Sequence, residues 1–262
     1  MQYLDSKKKL FLSSSFNGLT QKLWVYFSSR LQQDRVMIGV DPTKINEWSP
    51  DIIICPYLKQ YIPKKIWEAY PCFVVHPGPP GDGGPSSLNW AILEGKNSWG
   101  TSIIQAAEGW DTGPLWATKN FNMPQASAAH IYRNHVSDSI MSILPQALDR
   151  YFSGESSLPQ PAIVYRPQIT LENLAFDWEE KTETILRKIN AGDSQPGTVG
   201  IIEGQPFQLY GASKGEVPGQ PGKILEKRMG QVCIGTGDGS IWIRRLAQDC
   251  GVKIRAADLL AQ

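Results

Sequence analysis

One imidazole and one carboxylate stand where a catalyst would put them. His76 ends the apolar run "CFVVH", and Asp111 follows the apolar run "TSIIQ" in the phrase "EGWDTG". In an open α/β sheet, reactive groups collect beyond the carboxyl ends of the strands. If these two runs are neighbouring strands, the two side chains share a cleft and make a pair suited to moving protons during acyl transfer. Spacing alone also allows a plainer reading. A histidine after a strand often caps or hydrogen-bonds, and Asp-Thr-Gly is often a simple turn. Between the two lies "VVHPGPPGDGGPSSLNWAIL", with four prolines and four glycines. Prolines restrict φ and hold the backbone extended, while Gly81, Gly83 and Gly84 let it approach a ligand closely. That loop is either a rigid support for an oxyanion donor or a stiff crossover covering the sheet edge.

The elements that must position this pair can be read from periodicity. "KKLFLSSSF" reads as a first strand, followed by helical spacing of Leu19, Leu23, Phe27 and Leu31. "RVMIGV", "PDIIICPY" and "CFVVHP" are compact runs without alternation, as expected of strands buried on both faces of a parallel sheet. Strands alternating with helices predict a doubly wound, mostly parallel α/β layer over residues 1–160. One long helix is expected over "SAAHIYRNHVSDSIMSILPQALDRYF", carrying His130 and His135 as structural residues on different faces. The Ser/Pro/Gln-rich "SGESSLPQPAIVYRPQ" reads as a linker. Residues 161–262 then read as a small second domain. It has one amphipathic helix over "LAFDWEEKTETILRKINAG" and short strands split by turns, a small antiparallel OB-like β-barrel. Gly237–Gly239 is its tightest hairpin signal.

Bulk properties exclude several classes. Charged residues make up 19% and apolar ones 41%, the balance of an ordinary globular chain, and a net charge of +1 offers no electrostatic case for nucleic acid. The four cysteines are scattered without a CxxC pair, which argues against a zinc site and for a reducing, cytoplasmic setting. The apolar run after Lys7–Lys9 is too short for a signal peptide, and no run reaches membrane-spanning length. Lys7–Lys9 and Lys64–Lys65 read as solvated charge.

Four separated phrases then carry a resemblance: "PDIIICPYLKQYIPKKIW", the loop and Asp-Thr-Gly region from Val74 to Ala117, "FDWEEKTETILRKINAGDSQPGTV", and "PGKILEKRMGQVCIGTGDGSIWIRRL". In this order they resemble the folate-dependent formyltransferases, the family of methionyl-tRNA formyltransferase. "SSFNGLTQKL", "HPGPPGDGGPSSLNWAI" and "DSQPG" are similar to the HypX subfamily, which serves hydrogenase maturation. The resemblance implies 10-formyltetrahydrofolate as formyl donor and coenzyme A as acceptor. It also implies an enoyl-CoA-hydratase-like domain, absent from this chain, that releases carbon monoxide for a nickel-iron site. An amine acceptor (an amino sugar, an amino acid or methionyl-tRNA) is the alternative within the family, and a non-catalytic folate- or acyl-carrier-binding module the alternative outside it.

The same resemblance assigns residues. His76 would support the oxyanion, and Asp111 would hold the histidine and a proton-carrying water. Pro56, Tyr57 and Leu58 would wrap the pterin, with Gly109 and Trp110 beside it. Asn17 would either touch a ligand or cap a helix. Asp82 and Ser86 would bind the acceptor or cap, with capping favoured for Ser86. Ser194 and Gln195 would reach the pantetheine arm or the formyl group, or form a plain turn. No metal is implied. The sequence departs from the family where Val74 occupies the place of an asparagine that helps hold the formyl oxygen, and where Pro114 follows Asp-Thr-Gly. Either the support comes from elsewhere, such as a backbone N–H of the Gly81–Gly84 loop, or catalysis is weak.

Overall fold

The expected apolar runs fold into strands, and their neighbours differ in exposure in a way that tells edge from centre. The computed structural model describes residues 6–28, 34–193, 195–248 and 251–260. In chain order the first elements are β1 (Lys9–Ser13), α1 (Gly18–Phe27), β2 (Arg35–Ile38), α2 (Pro42–Trp48), β3 (Ile52–Tyr57), α3 (Lys64–Trp67), β4 (Cys72–His76), β5 (Asp82–Gly83) and α4 (Ser87–Leu93). Then follow β6 (Ser98–Gln105), β7 (Leu115–Asn122), α5 (Ala128–Ile131), α6 (Ser137–Phe152) and β8 (Val164–Tyr165). The remainder is α7 (Thr182–Gly192), β9 (Thr198–Ile202), β10 (Gln205–Gly215), β11 (Ile224–Arg228), β12 (Gln231–Thr236), β13 (Gly239–Ala247), β14 (Ile254–Arg255) and α8 (Ala256–Leu259).

Contacts divide the chain into two units, one of residues 1–87, 98–122 and 132–167, the other of 88–97, 123–131 and 168–262. The first unit carries a six-stranded sheet of order β2-β1-β3-β4-β6-β7. β1, β2, β3 and β4 pair in parallel, and β1 and β3 are buried nearly throughout, which is why their sequences show no alternation. β2 is an edge strand, and its half-exposed residues depart from the two-sided burial expected of "RVMIGV". β6 runs antiparallel to β4, with His76 opposite Ser102 and Phe73 opposite Gln105, and β7 returns antiparallel to β6. β7, "LWATKNFN", has no counterpart in the sequence reading, because its second half is exposed and polar and shows neither period.

Three further expectations are corrected. The long helix breaks into α5, a π-helical turn over Tyr132–Val136, and α6, so His130 lies on α5 and His135 in the turn, stacked on Phe121. The reading of Lys9 as solvated charge fails. Lys9 is 1% exposed, and its Nζ lies 3.2 Å from Asp34 Oδ1, whose side chain is 6% exposed. The linker reading also fails, since β8 pairs in parallel with β5 and stays with the first unit. Helix α1 ends at Phe27, and Leu31 lies outside the described residues.

The second unit is an antiparallel sheet of path β11-β12-β13-β10-β9, with β14 added on β13. It packs on α7 through Ile185, Leu186 and Ile189, which meet Leu209, Ile234 and Ile243 in one apolar cluster. The hairpin at Gly237–Gly239 forms as expected, with Thr236 opposite Gly239. Its Asp238 accepts from the Thr182 N–H at 2.7 Å and so caps α7. That helix begins at Thr182, later than the amphipathic pattern suggests, because Trp178–Glu180 form a turn and bend before it. Among the described residues no pairing joins β9 to β11 to close a barrel, and no helix is long and apolar enough to cross a membrane.

Candidate active site

Antiparallel β6 changes how Asp111 reaches His76. The end of β6 lies beside Cys72, at the start of β4, so Asp111 does not sit at the carboxyl edge simply by following its strand. Instead the segment between β6 and β7 folds back toward the other end of β4. Asp111 there accepts from the Gly84 N–H at 2.9 Å, and its carbonyl accepts from Gln160 Nε2 at 2.9 Å. Its backbone is left-handed, φ 58°, a conformation short polar residues tolerate best. The pair does converge, by a route the spacing did not show.

His76 is held between two carboxylates. Its Nδ1 lies 3.4 Å from Asp111 Oδ2 and its Nε2 is hydrogen-bonded to Asp82 Oδ2 at 3.0 Å. Asp82 Oδ1 accepts from Arg166 Nε at 2.7 Å, and Ser87 Oγ donates to the Oδ2 that faces the ring. Side-chain exposure falls from 19% at Arg166 to 10% at Asp111, 6% at Asp82 and 3% at His76. Burial works to raise the Asp82 carboxyl, but hydrogen bonds from His76, Ser87 and Arg166 outweigh it and hold it below the ordinary carboxylate range.

The loop is anchored at each turn. Trp99 Nε1 donates to the Pro77 carbonyl and Ser102 Oγ to that of Gly78, both at 2.8 Å. Only glycine fits at 78, since a Cβ there would fall on His76 Nε2 and Asp82 Oδ2. Gly84 has φ 111°, and a Cβ on it would collide with the Arg166 carbonyl oxygen. Loop and former linker are thus one built support: the Val164 N–H donates to the Gly81 carbonyl and the Arg166 N–H to that of Gly83.

His76 and Asp111 line a cavity of about 940 Å³, its open mouth included, whose walls include Tyr57, Leu58, Tyr61, Val74, Ile104, Trp110 and Tyr132. Tyr57 meets Tyr132 edge-on at 5.9 Å, and Tyr61 meets Trp110 at 5.8 Å. Val74 and His76 share a strand face by their spacing of two, so the valine supplies wall where a donor would stand. The π-helical turn begins at Tyr132, whose buried hydroxyl donates to the Pro56 carbonyl and whose phenol is raised above its ordinary value chiefly by that burial. Cys55 and Cys72 are buried with raised thiols, that of Cys72 to about 12, which marks packing residues.

Of the residues assigned from the sequence, His76, Asp111, Tyr57, Leu58, Gly109 and Trp110 all line this cavity. Pro56 does not; it contributes its carbonyl to Tyr132. Asn17 caps α1, its Oδ1 accepting from the Thr20 N–H at 2.9 Å, and is not among the lining residues. Asp82 is not among the lining residues, and its oxygens are in contact with His76, Ser87 and Arg166. Ser86 is buried immediately before α4. Gln195 is exposed in the second unit, and Ser194 lies outside the described residues. The backbone donors expected to replace the asparagine are partly spent: the Gly84 N–H on Asp111, the Asp82 N–H on the Pro79 carbonyl. Arg166 and Ser87 were not foreseen. Arg166 contacts Asp82 across 84 residues of chain, and nothing local marks it.

Known proteins are similar to this chain in sequence and in fold. HoxX, a hydrogenase maturation factor of Bradyrhizobium diazoefficiens, is 36% identical over 96% of this chain and 47% of its own length. HypX from Aquifex aeolicus, crystallised in complex with tetrahydrofolic acid, superposes with a TM-score of 0.91 at 37% identity, covering 97% of this chain and 47% of that one. The chain thus spans about half the length of these two relatives. The methionyl-tRNA formyltransferase of Trichlorobacter lovleyi is 28% identical over 83% of this chain and 71% of its own. Residues 16–148 match the family Formyl transferase and residues 168–262 match Formyl transferase, C-terminal domain. With both regions present and in order, the chain belongs to the formyl transferase family.

Proposed function

We propose that this chain transfers a formyl group from 10-formyltetrahydrofolate to coenzyme A. The observation that carries the reading is His76, set on a cavity wall with Asp111 on one nitrogen and Asp82 on the other. The lining supports the donor: aromatic and aliphatic walls suit a flat pterin. The HypX relative binds tetrahydrofolic acid, which supports the same choice here.

In the step we infer, the acceptor sulfur attacks the formyl carbon and gives up its proton to His76. The carbonyl becomes an oxyanion facing the charged imidazole, with Asp111 holding the ring. His76 returns the proton to the folate nitrogen as the carbon–nitrogen bond breaks, leaving tetrahydrofolate and a formyl thioester. Loss of one such oxyanion contact typically costs about 10²–10³ in rate. Tyr57, Leu58, Gly109 and Trp110 would contact the donor. Ser194 and Gln195 would meet the acceptor, within a two-domain division near residue 160. In a longer protein an enoyl-CoA-hydratase-like domain would follow and release carbon monoxide for hydrogenase maturation, in the cytoplasm.

The test is mass spectrometry of the acid-quenched products from isotope-labelled 10-formyltetrahydrofolate. Labelled formyl-coenzyme A, lost in His76→Ala and Asp111→Ala, is the expected result. Full transfer by both variants would refute the mechanism. Label arriving only on an amine acceptor, the choice that the methionyl-tRNA formyltransferase relatives favour, would keep the chemistry and change the acceptor.

A further inference from the structure

Asp82 and Arg166 do not line the cavity, yet they extend the buried His76–Asp82 contact away from it. We propose that Asp82, clamped by Arg166 and Ser87, is a positioning residue that fixes the proton on His76 Nε2 and leaves Nδ1, facing Asp111 and the cavity, as the nitrogen that exchanges the working proton. This deepens the formyl-transfer reading and rests on it for its kinetic half.

The geometry assigns the roles. A carboxylate only accepts, and both oxygens of Asp82 are occupied by donors: Arg166 Nε on Oδ1, Ser87 Oγ on Oδ2. The contact of Oδ2 with His76 Nε2 at 3.0 Å therefore needs a proton on the nitrogen. Nδ1 faces Asp111 at 3.4 Å, a looser approach that meets only the ion-pair distance, and Asp111 lines the cavity whereas Asp82 does not. Since Asp111 lines the cavity and Asp82 does not, Nδ1 is assigned to the substrate side. When Nδ1 takes the proton of the attacking acceptor, the ring becomes a cation between two carboxylates, and the run Arg166, Asp82, His76, Asp111 alternates in sign and sums to zero. Buried charges of alternating sign with satisfied hydrogen bonds are the tolerable way to hold a cation there. A carboxylate behind a catalytic imidazole holds its tautomer and supports its charged form in the same way in serine hydrolases.

Arg166 is itself built in rather than floating. Its backbone N–H donates to Gly83 at 2.7 Å, and its guanidinium lies 5.8 Å from the centre of the Trp99 ring, whose Nε1 holds the Pro77 carbonyl beside His76. The short β5–β8 pairing thus sets the distance between guanidinium and imidazole.

Asp82→Asn tests this. Arg166 would hold the amide oxygen and turn the amide N–H₂ toward His76, forcing the ring proton onto Nδ1 and opposing a second proton. The full chain, with histidine nitrogens labelled, reports the tautomer in proton–nitrogen correlation spectra, which its three histidines keep simple. Expected are a protonated Nε2 in the wild type and its loss in Asp82→Asn. Transfer should show kcat lowered about 10²–10⁴-fold with KM for the folate donor changed less than about threefold. Arg166→Met should lower kcat less, and Arg166→Lys should recover part of that loss. A wild-type spectrum without a proton on Nε2, or an Asp82→Asn enzyme within about threefold of wild-type kcat, would overturn the proposal. If Asp82→Asn does not fold, the wild-type spectrum and the Arg166 pair decide. If the wild type moves no formyl group to any acceptor, the functional reading fails alone and the spectra still decide the tautomer.

Discussion

The two units bury different things. In the first, Lys9, His76 and Asp82 are nearly inaccessible, each with an opposite charge or a hydrogen-bonding ring beside it. In the second, the buried polar residues among those described are hydroxyls and one amide: Thr182, Thr198, Thr236, Ser240 and Asn190. Burying charge costs free energy unless it is paired and hydrogen-bonded, and a domain built only for stability does better with apolar groups. The first unit carries that cost beside the cavity proposed to hold the substrate, while the second reads as a scaffold whose polar groups tie turns to helix ends. Lys9 is the instructive exception. It lies on β1, lines no part of the cavity, and its ion pair with Asp34 joins the first strand to the chain entering β2.

That contrast can be broken at several points. The largest stability effect should come from Asp34→Ala, which leaves Lys9 buried without its carboxylate. Loss of one partner of a buried pair costs about 3–5 kcal/mol, and denaturant titration should show it with kcat of the folded fraction unchanged. Gly84→Ala should follow, at about 1–3 kcal/mol for a strained backbone, because its Cβ meets the Arg166 carbonyl, and here kcat should fall as well. Unfolding midpoints and turnover measured together separate these two outcomes. Ile234→Val in the second unit should cost about 0.5–1.5 kcal/mol and leave turnover untouched, and a large kinetic effect would contradict the scaffold role. Asn17→Ala should cost about 1 kcal/mol through the lost cap, with KM for the donor unchanged, whereas a raised KM would restore its ligand role.

Acidity gives the last and smallest test. The Asp82 carboxyl is held below its ordinary value of 3.8, so its contribution is fully present above that value. It is lost as pH falls through the lower folded value. Stability plotted against pH should therefore drop more steeply below about 4 in the wild type than in Asp82→Asn. Parallel curves would mean the network adds nothing.

Much of the fold was legible because burial on both faces writes itself into sequence as runs without alternation, as in "LFL" and "DIIIC". The second unit's turns were equally plain, since Gly237–Gly239 needs a tight hairpin. What stayed hidden were features decided by distant pairing. "LWATKNFN" is a strand only because β6 lies beside it, and β6 runs antiparallel for reasons its own residues do not carry. Composition made residues 153–168 look like a tether, yet Val164 and Tyr165 find backbone partners in the Gly81–Gly84 loop. His76 and Asp111 were assigned their roles through resemblance, since chain spacing alone favoured a cap and a turn. Asp82 was read as an acceptor contact or a cap, and its contact with Arg166, 84 positions away, left no local signal.

Asp111 shows how torsion can narrow a position independently of reactivity. At φ 58° most side chains crowd their own carbonyl, and asparagine, aspartate and glycine are the residues that sit there with least strain. Of those three only aspartate brings a negative charge to the imidazole. A library randomised at 111 should therefore give its most stable members with glycine, asparagine and aspartate, while Asp111→Glu should still fold, as Glu203 does at φ 51°, at a cost of about 1–2 kcal/mol and with its carboxylate moved from the imidazole.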